Sequence, residues 1–151
     1  MKEIISLRSP FDCLAGCMWL ARLTDKIRLM NVGKLPAGYH AFLGHRRGVD
    51  GHFLRHFELD KSVVLEAIAN QFDDNDVARW FLGQPTVTQN RINRWNDLAP
   101  NLGRHGWPCE KELAIAIERF YPASVGDRPI ETLFELIVRD ENLALPINKN
   151  T

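Results

Sequence analysis

Four charged residues suited to ion pairing or anion binding cluster in the first long apolar segment: Arg22, Asp25, Lys26 and Arg28. On a helix, Asp25 shares its side with apolar residues. A carboxylate in that setting must be paired, because an unpaired buried charge is very costly. Arg22, three residues before it, and Arg28, three residues after it, are the predicted partners. The spacing therefore predicts an ionic cluster within one helix.

Two roles are open for this cluster. In the structural interpretation, its ion pairs lock the packing of neighbouring helices. In the functional interpretation, the cationic groups of Arg22 and Lys26 bind an anionic ligand while Asp25 orients them, because such cations pair well with carboxylates and phosphates. Both roles perturb ionisable groups in the same way, so the residue types alone do not choose between them.

A second candidate is the dipeptide Tyr39-His40, which lies in a glycine- and proline-containing segment over residues 33–49 that is predicted to be a loop. Loops on a rigid scaffold often carry function, and histidine serves as a general acid or base because it titrates near neutrality. His40 is therefore the candidate proton carrier, and Asp25 is the second candidate catalytic residue. The alternative is that Tyr39 packs beneath the loop and His40 bonds a backbone carbonyl.

Two further histidines, His52 and His56, have the four-residue spacing of two zinc ligands on one helix. The helical wheel places them opposite Phe53, Leu54 and Phe57, so both are predicted to face water. A third ligand is not evident in the sequence, and no metal site is predicted.

The overall charge argues against a nucleic-acid or membrane partner. The 151 residues include 19 Lys and Arg and 19 Asp and Glu, so the net charge is near zero. Proteins that bind duplex DNA or anionic membranes rely on an excess of cations. The basic stretch over residues 40–56 is short and lacks an interleaved aromatic platform. We expect neither nucleic acid nor membrane as a partner.

The cysteines and the first residues predict a cytoplasmic protein. Residues 1–6 lack the apolar run of a signal peptide, and the stretch from Cys13 to Leu23 is too short and too polar to span a bilayer. Cys13 and Cys17 are predicted to lie one helical turn apart on the same stripe, and Cys109 makes the number odd. Reduced, buried thiols are the expectation.

Hydrophobic residues recur at helical spacing through nearly the whole chain, and alternating strand patterns are absent. This predicts an all-α fold, with a single compact domain over residues 1–151 of about seven helices around a central N-terminal helix. The first helix is predicted from Pro10 to Val32, capped by Ser9 and ended by Gly33. The other six are predicted to begin at Asp50, Asp60, Asp73, Thr88, Pro108 and Pro129.

The recognised motifs for nucleotide binding, serine hydrolysis and zinc proteolysis do not occur in the sequence. No cofactor is predicted. Their absence does not exclude an enzyme that works through acid–base residues alone.

Several segments together resemble the signature of a family of short bacterial domains of unknown function. The matching segments are Leu7-Arg8-Ser9-Pro10, residues 19–28, Tyr39-His40, residues 50–54, the region of Trp80, Trp95-Asn96 and Asp140-Glu141. Ala21 departs from a proline in the family pattern, and Asn142-Leu143 departs from its Gly-Arg. The family brings no established activity. The resemblance implies that the signature includes Arg22, Asp25, Lys26, Arg28, Tyr39, His40 and Asp50.

Two functions of different classes follow from these observations. The first is a site for a small anionic molecule, with candidate ligand-binding residues Arg22, Lys26, Arg28, Tyr39 and Asp50. If that site is catalytic, a cofactor-independent lyase, isomerase or hydrolase using His40 and Asp25 is expected. The alternative is a non-catalytic protein-interaction or homo-oligomeric structural module, for which Trp107 is the residue of interest.

Overall fold

The computed structural model describes residues 6–120 and 129–143, and within them regular structure is almost entirely helical. A two-stranded antiparallel hairpin precedes eight α-helices, and one turn of 3₁₀ helix at Ala99–Asn101 follows the sixth. The elements are β1 Cys13–Leu14, β2 Cys17–Met18, α1 Leu20–Asn31, α2 Ala37–His40, α3 Val49–His56, α4 Lys61–Ala69, α5 Asp74–Leu82, α6 Gln89–Leu98, α7 Glu110–Phe120 and α8 Leu133–Asp140. The predicted all-α fold is confirmed.

The core forms around α1 and a group of aromatic rings. Most of the first two turns of α1 are buried, and this helix packs against α4 and the hairpin. Phe53, Phe57, Phe81 and Trp95 are fully buried, with contacting rings 5.0–6.2 Å apart between centroids. Rings at these separations add to the stabilisation that comes from burying their area. The helix that carries most of the predicted site residues is therefore the central one.

The start predicted for this helix, at Pro10, is wrong. Residues 13–18 form the hairpin instead, and α1 begins at Leu20. Ala15 and Gly16 link the strands with φ angles of 56° and 71°, and two positive φ values at a two-residue loop suit the twist of a hairpin. Left-handed residues cannot continue an α-helix. Cys13 and Cys17 consequently lie on opposite strands and share no helical stripe.

Residues of α6 hold the hairpin in place. The side chain of Asn96 accepts a hydrogen bond from the Met18 amide at 2.9 Å and donates to the Gly16 carbonyl at 2.8 Å. The indole of Trp95 donates to the Met18 carbonyl at 2.9 Å. Trp95 is thus packed in the core with a partner for its buried N–H. Because these bonds join residues far apart in sequence, helical periodicity does not reveal them.

Local capping signals place most of the other helix ends. The side chains of Asp60, Asp73 and Thr88 accept backbone amides at the starts of α4, α5 and α6, as predicted. Three predicted starts shift: α3 begins at Val49, α7 at Glu110 and α8 at Leu133 after a Thr132 cap. The predicted loop over residues 33–49 also contains the short helix α2.

None of the helices within residues 6–120 and 129–143 is both long and apolar enough to cross a membrane.

We predict that Gly51→Ala lowers stability because α3 packs closely on the preceding loop. A Cβ at Gly51 lies 2.5 Å from the Arg46 carbonyl oxygen and collides with the His45 carbonyl as well. Both obstacles are backbone atoms, so the helix must shift. Overpacking of this kind costs about 1–3 kcal/mol, measurable by urea unfolding. Gly38→Ala is the matched control, because nothing lies within 4 Å of its added Cβ. Equal stability of the two variants contradicts the prediction.

Candidate functional site

Asp25 is paired, but not with the residues that helical spacing predicted. Its carboxylate accepts hydrogen bonds from the backbone amide of Arg8 at 2.8 Å, from Arg8 Nη2 at 2.9 Å and from Arg8 Nε at 3.1 Å. The predicted partners Arg22 and Arg28 bind other carboxylates. Arg8 precedes the hairpin, so this contact returns the N-terminal segment to the middle of α1. The predicted pairing within one helix is wrong because segments packed across α1 supply closer partners.

A shared carboxylate at the start of α5 extends this cluster. Asp74 accepts from Arg8 Nη1 at 2.7 Å and from Arg28 Nη1 at 2.8 Å. Hydrogen bonds from Arg8 and then from Arg28 lower the pKa of Asp74. The side chains of the three residues are about one-third exposed, at 33%, 34% and 39%. Arg28 is thus neutralised by a carboxylate at the surface.

Arg22 binds the end of the described chain. Its guanidinium forms a two-bond pair with the carboxylate of Glu141, with Nη1 to Oε1 at 2.9 Å. The hydroxyl of Tyr39 donates to the same carboxylate at 3.2 Å. Burial, followed by the charge of Glu141, raises the pKa of Tyr39 to about 12. The structure therefore brings Arg22 and Tyr39 together through a residue that the helical wheel did not identify.

The fourth charged residue of α1, Lys26, forms a buried ion pair with Asp50. Its ammonium lies 2.8 Å from both carboxylate oxygens, and the exposed fractions of the two side chains are 6% and 1%. Asp50 also accepts from the indole of Trp19 at 2.7 Å and from the amide of Gly44 at 2.8 Å. Burial lowers the pKa of Lys26, and the charge of Asp50 opposes that shift. Each carboxylate oxygen of Asp50 therefore accepts two hydrogen bonds from groups within the protein.

His40 lies apart from these pairs, at the end of α2. Its Nε2 is 2.5 Å from the carbonyl oxygen of Leu35. A carbonyl only accepts, so Nε2 carries a proton and donates it here, which assigns the basic position of the neutral ring to Nδ1. The predicted backbone contact of His40 is thus observed. It leaves one ring nitrogen for other chemistry.

His40 lines a groove of about 210 Å³ between α1 and α4. The walls include apolar side chains from both helices and from the loop after α2, and two groups on the groove are titratable. The residues that line it are Ile27, Met30, Asn31, His40, Leu43, Lys61, Leu65 and Ala69. Asp25 does not line this groove, so the two candidate catalytic residues lie in different surroundings.

Lys61 is a candidate functional side chain that the sequence did not single out. It is the first residue of α4, is exposed and forms no ion pair with any residue in the described ranges. Its aliphatic stem lies across Gly44, where an added Cβ would be 2.5 Å from the Lys61 Cε. No spacing in the sequence connects Lys61 with His40, because the groove forms only when α4 packs on α1.

A second concavity, of about 430 Å³, is lined by Arg28, Phe72, Asp73, Asp74 and Asn75. Two of these residues are carboxylates, and Arg28 is already bound to one of them. Like charges repel an anion at close range, so this surface is a poor site for an anionic ligand.

The prediction that His52 and His56 face water is wrong. Both are half-buried: Nε2 of His56 lies 2.7 Å from the Arg91 carbonyl, and Nε2 of His52 lies 3.0 Å from Sγ of Cys109. The wheel failed because α6 and the segment before α7 cover the side of α3 opposite its apolar face. Within the described residues, no three His, Cys, Asp or Glu side chains are grouped to hold a metal ion.

Comparison with known protein families matches residues 5–143 to a family described as a domain of unknown function, DUF5069. A search of curated proteins found no match to the chain. The family match spans every pair described above, from Arg8 to Glu141.

We predict that Asp50→Asn costs about 3–5 kcal/mol, because it leaves the ammonium of Lys26 buried without a counter-charge. The loss is expected to shrink as the pH rises. In the variant, burial lowers the pKa of Lys26 in the folded state, and no carboxylate opposes that shift. At pH values between this lowered pKa and the pKa of Lys26 in the unfolded chain, the unfolded chain binds more protons than the folded one. The free energy of unfolding of the variant therefore rises with pH in this range. Urea unfolding at about pH 7 and about pH 9.5 measures the difference.

The matched variant is Asp25→Asn, whose side chain is 18% exposed and whose partner Arg8 retains Asp74. We expect it to lose less than half of what Asp50→Asn loses. Equal losses, or an Asp50→Asn variant whose deficit is the same at both pH values, contradict the assignment of the Lys26–Asp50 pair as the buried one.

Proposed function

We propose that the chain, which belongs to the DUF5069 family of domains of unknown function, binds a small organic anion in the groove between α1 and α4. The observation that carries the proposal is the combination of apolar walls with His40 and Lys61 on a single concave surface. Small-molecule sites are typically lined by apolar residues with a few convergent polar groups. The ligand class that fits is a short carboxylate with an apolar tail.

The charge of Lys61 favours an anion. In the described structure its ammonium has no carboxylate partner, whereas Arg8, Arg22, Lys26 and Arg28 each have at least one. Contact of its stem with Gly44 limits the positions that the ammonium can reach. An ammonium without a partner gains the interaction with an incoming carboxylate and does not first break an internal pair.

The size of the groove limits the ligand. Sites for drug-sized molecules occupy roughly 300–1,000 Å³, and this groove is about 210 Å³. It therefore suits a molecule of few heavy atoms, with an apolar part against Ile27, Leu43 and Leu65 and a charged end at Lys61. Such a small contact area supports modest affinity, since each heavy atom contributes only a limited binding free energy.

If the site is catalytic, proton transfer at Nδ1 of His40 is its chemistry. The Leu35 carbonyl holds the ring in one tautomer, which leaves Nδ1 as the acceptor of a substrate proton. A cofactor-independent lyase, isomerase or hydrolase step fits such a group. In this proposal His40 and Lys61 contact the ligand. Arg22, Asp25, Lys26, Arg28, Tyr39 and Asp50 do not line the groove and act only through the internal bonds that hold the fold.

We predict that short-chain carboxylates such as butanoate and hexanoate raise Tm in a saturable way, because a ligand of the native state stabilises it in proportion to occupancy. Lys61→Gln is expected to abolish this shift, since it removes the cation that pairs with the carboxylate. Thermal melts over a ligand titration, followed by calorimetry on the best ligand, provide the measurement.

Lys111→Gln is the matched control, because Lys111 is an exposed lysine on α7 outside the groove. It should bind as the unmodified protein does. Two results overturn the proposal: no small carboxylate shifts Tm, or Lys61→Gln and Lys111→Gln respond equally to the same ligand. Butylamine, which has the same tail and the opposite charge, should produce no shift.

A further inference from the structure

A cysteine and a histidine that do not line the groove lie in hydrogen-bonding contact where α3 packs against the segment before α7. Sγ of Cys109 is 3.0 Å from Nε2 of His52, although the two residues are 57 positions apart in the chain. His52 lies on α3, and Cys109 is the residue immediately before α7. Its carbonyl accepts the amide of Leu113 at 2.9 Å, so Cys109 begins the hydrogen bonding of that helix.

The pair is neutral at rest. Burial raises the pKa of Cys109 to about 11 and lowers the pKa of His52. The charge of Glu112 raises both values, and the charge of Arg55 lowers both. At neutral pH, therefore, a thiol faces an unprotonated imidazole, and in the Nδ1–H tautomer of His52 the S–H donates to Nε2. This is the arrangement in which a base takes the proton of a nucleophile as it attacks.

We propose that Cys109 is a nucleophile for acyl donors, that is, activated esters or thioesters, and that His52 is its general base. The contact between the sulfur and the imidazole nitrogen carries this inference. It is independent of anion binding in the groove, because neither residue lines that groove.

Acyl transfer to Cys109 requires only the acyl donor and these two side chains. The sulfur attacks the acyl carbon, and the S–H proton moves to Nε2 of His52. An S–C bond forms as the bond from the acyl carbon to the leaving oxygen or sulfur breaks, and His52 returns the proton to the leaving group. The products are an acyl thioester on Cys109 and an alcohol or thiol. Water, deprotonated by His52, then hydrolyses the thioester to a carboxylic acid and restores the thiol.

The position of Cys109 immediately before α7 favours the negative charge that develops on the acyl oxygen in this reaction. The first amides of an α-helix have no acceptor within the helix, and amides placed near an acyl oxygen stabilise the oxyanion of the tetrahedral intermediate. Cys109 is 7% exposed, and the adjoining residues 105–108 are exposed. The low exposure of Cys109 disfavours a bulky donor, so acetyl is the group of choice for a test.

The other two cysteines provide an internal comparison. Cys13 is exposed and Cys17 is buried in the hairpin, and the hydrogen bonds of both thiols go to backbone carbonyls. Burial raises the pKa of each. Without a nearby base, Cys13 reacts only through its small thiolate fraction, even though reagents reach it more easily than they reach Cys109.

The test is acetylation of the full chain by p-nitrophenyl acetate at neutral pH. Release of p-nitrophenolate gives the rate, and mass spectrometry of peptides locates the acetyl group. We expect Cys109 to be acetylated at least ~10-fold faster than Cys13, and His52→Gln to slow Cys109 by ~10²-fold, since general-base catalysis contributes typically 10²–10⁴-fold. Cys13→Ser should leave the rate at Cys109 unchanged.

The pH profile distinguishes a base from a merely structural histidine. The rate at Cys109 should fall as the pH drops through the lowered pKa of His52, and His52→Gln should lose that inflection. Circular dichroism establishes that the variant is folded. The proposal is overturned if Cys13 reacts as fast as Cys109, or if folded His52→Gln keeps the rate and the pH profile of the unmodified protein. If His52→Gln does not fold, His52→Asn and the pH profile of the unmodified protein provide the test. A profile of the unmodified protein that has no inflection also overturns the proposal.

Discussion

The packing of α1, α3 and the loop after α2 depends on the hydrogen bonds and the ion pair of the Asp50 carboxylate. This carboxylate is almost completely buried, and it joins three separate parts of the chain: the indole of Trp19 before α1, the ammonium of Lys26 within α1 and the amide of Gly44 in the loop after α2. A buried charge is tolerated only where its hydrogen-bonding capacity is filled. Any displacement of one of these parts would leave the carboxylate partly unsatisfied, so their relative positions are tightly constrained.

This constraint reaches the proposed groove through Gly44. The bond from its amide to Asp50 fixes the backbone that follows α2, and Gly44 adopts a φ of 70°, which suits glycine. The stem of Lys61 then lies across Gly44 in space that any Cβ would occupy. The buried ion pair therefore does not bind the ligand in our proposal. It positions the surface on which Lys61 and His40 face the groove.

Local signals account for what the sequence predicted well. The caps Asp60, Asp73 and Thr88 act on amides within three residues of themselves, so their effect can be predicted from a short stretch of chain. The hairpin was missed because the side chain that holds it in place through bonds to Met18 and Gly16, Asn96, lies about 80 residues away. The same limit applies to Asp25: its position predicted a paired carboxylate, but its partner Arg8 lies outside the helical spacing that was considered.

In the candidate site, too, the sequence identified the charged residues but not their partners. Periodicity made the charges of α1 conspicuous, and each is bound to a different segment: Asp25 to Arg8, Arg28 to the start of α5, Lys26 to α3 and Arg22 to Glu141. Apolar faces alone are compatible with several helix packings, whereas ion pairs of fixed geometry penalise every packing that leaves a charge unpaired. A ligand that recruited these groups would have to break bonds that hold the fold together. In our proposals the chemistry therefore falls to Lys61, His40 and the Cys109–His52 pair, which take no part in these ion pairs. The sequence marked His40 and His52 as candidates, but it did not mark Lys61 or the contact of His52 with Cys109, because the groove and that contact form only through tertiary packing.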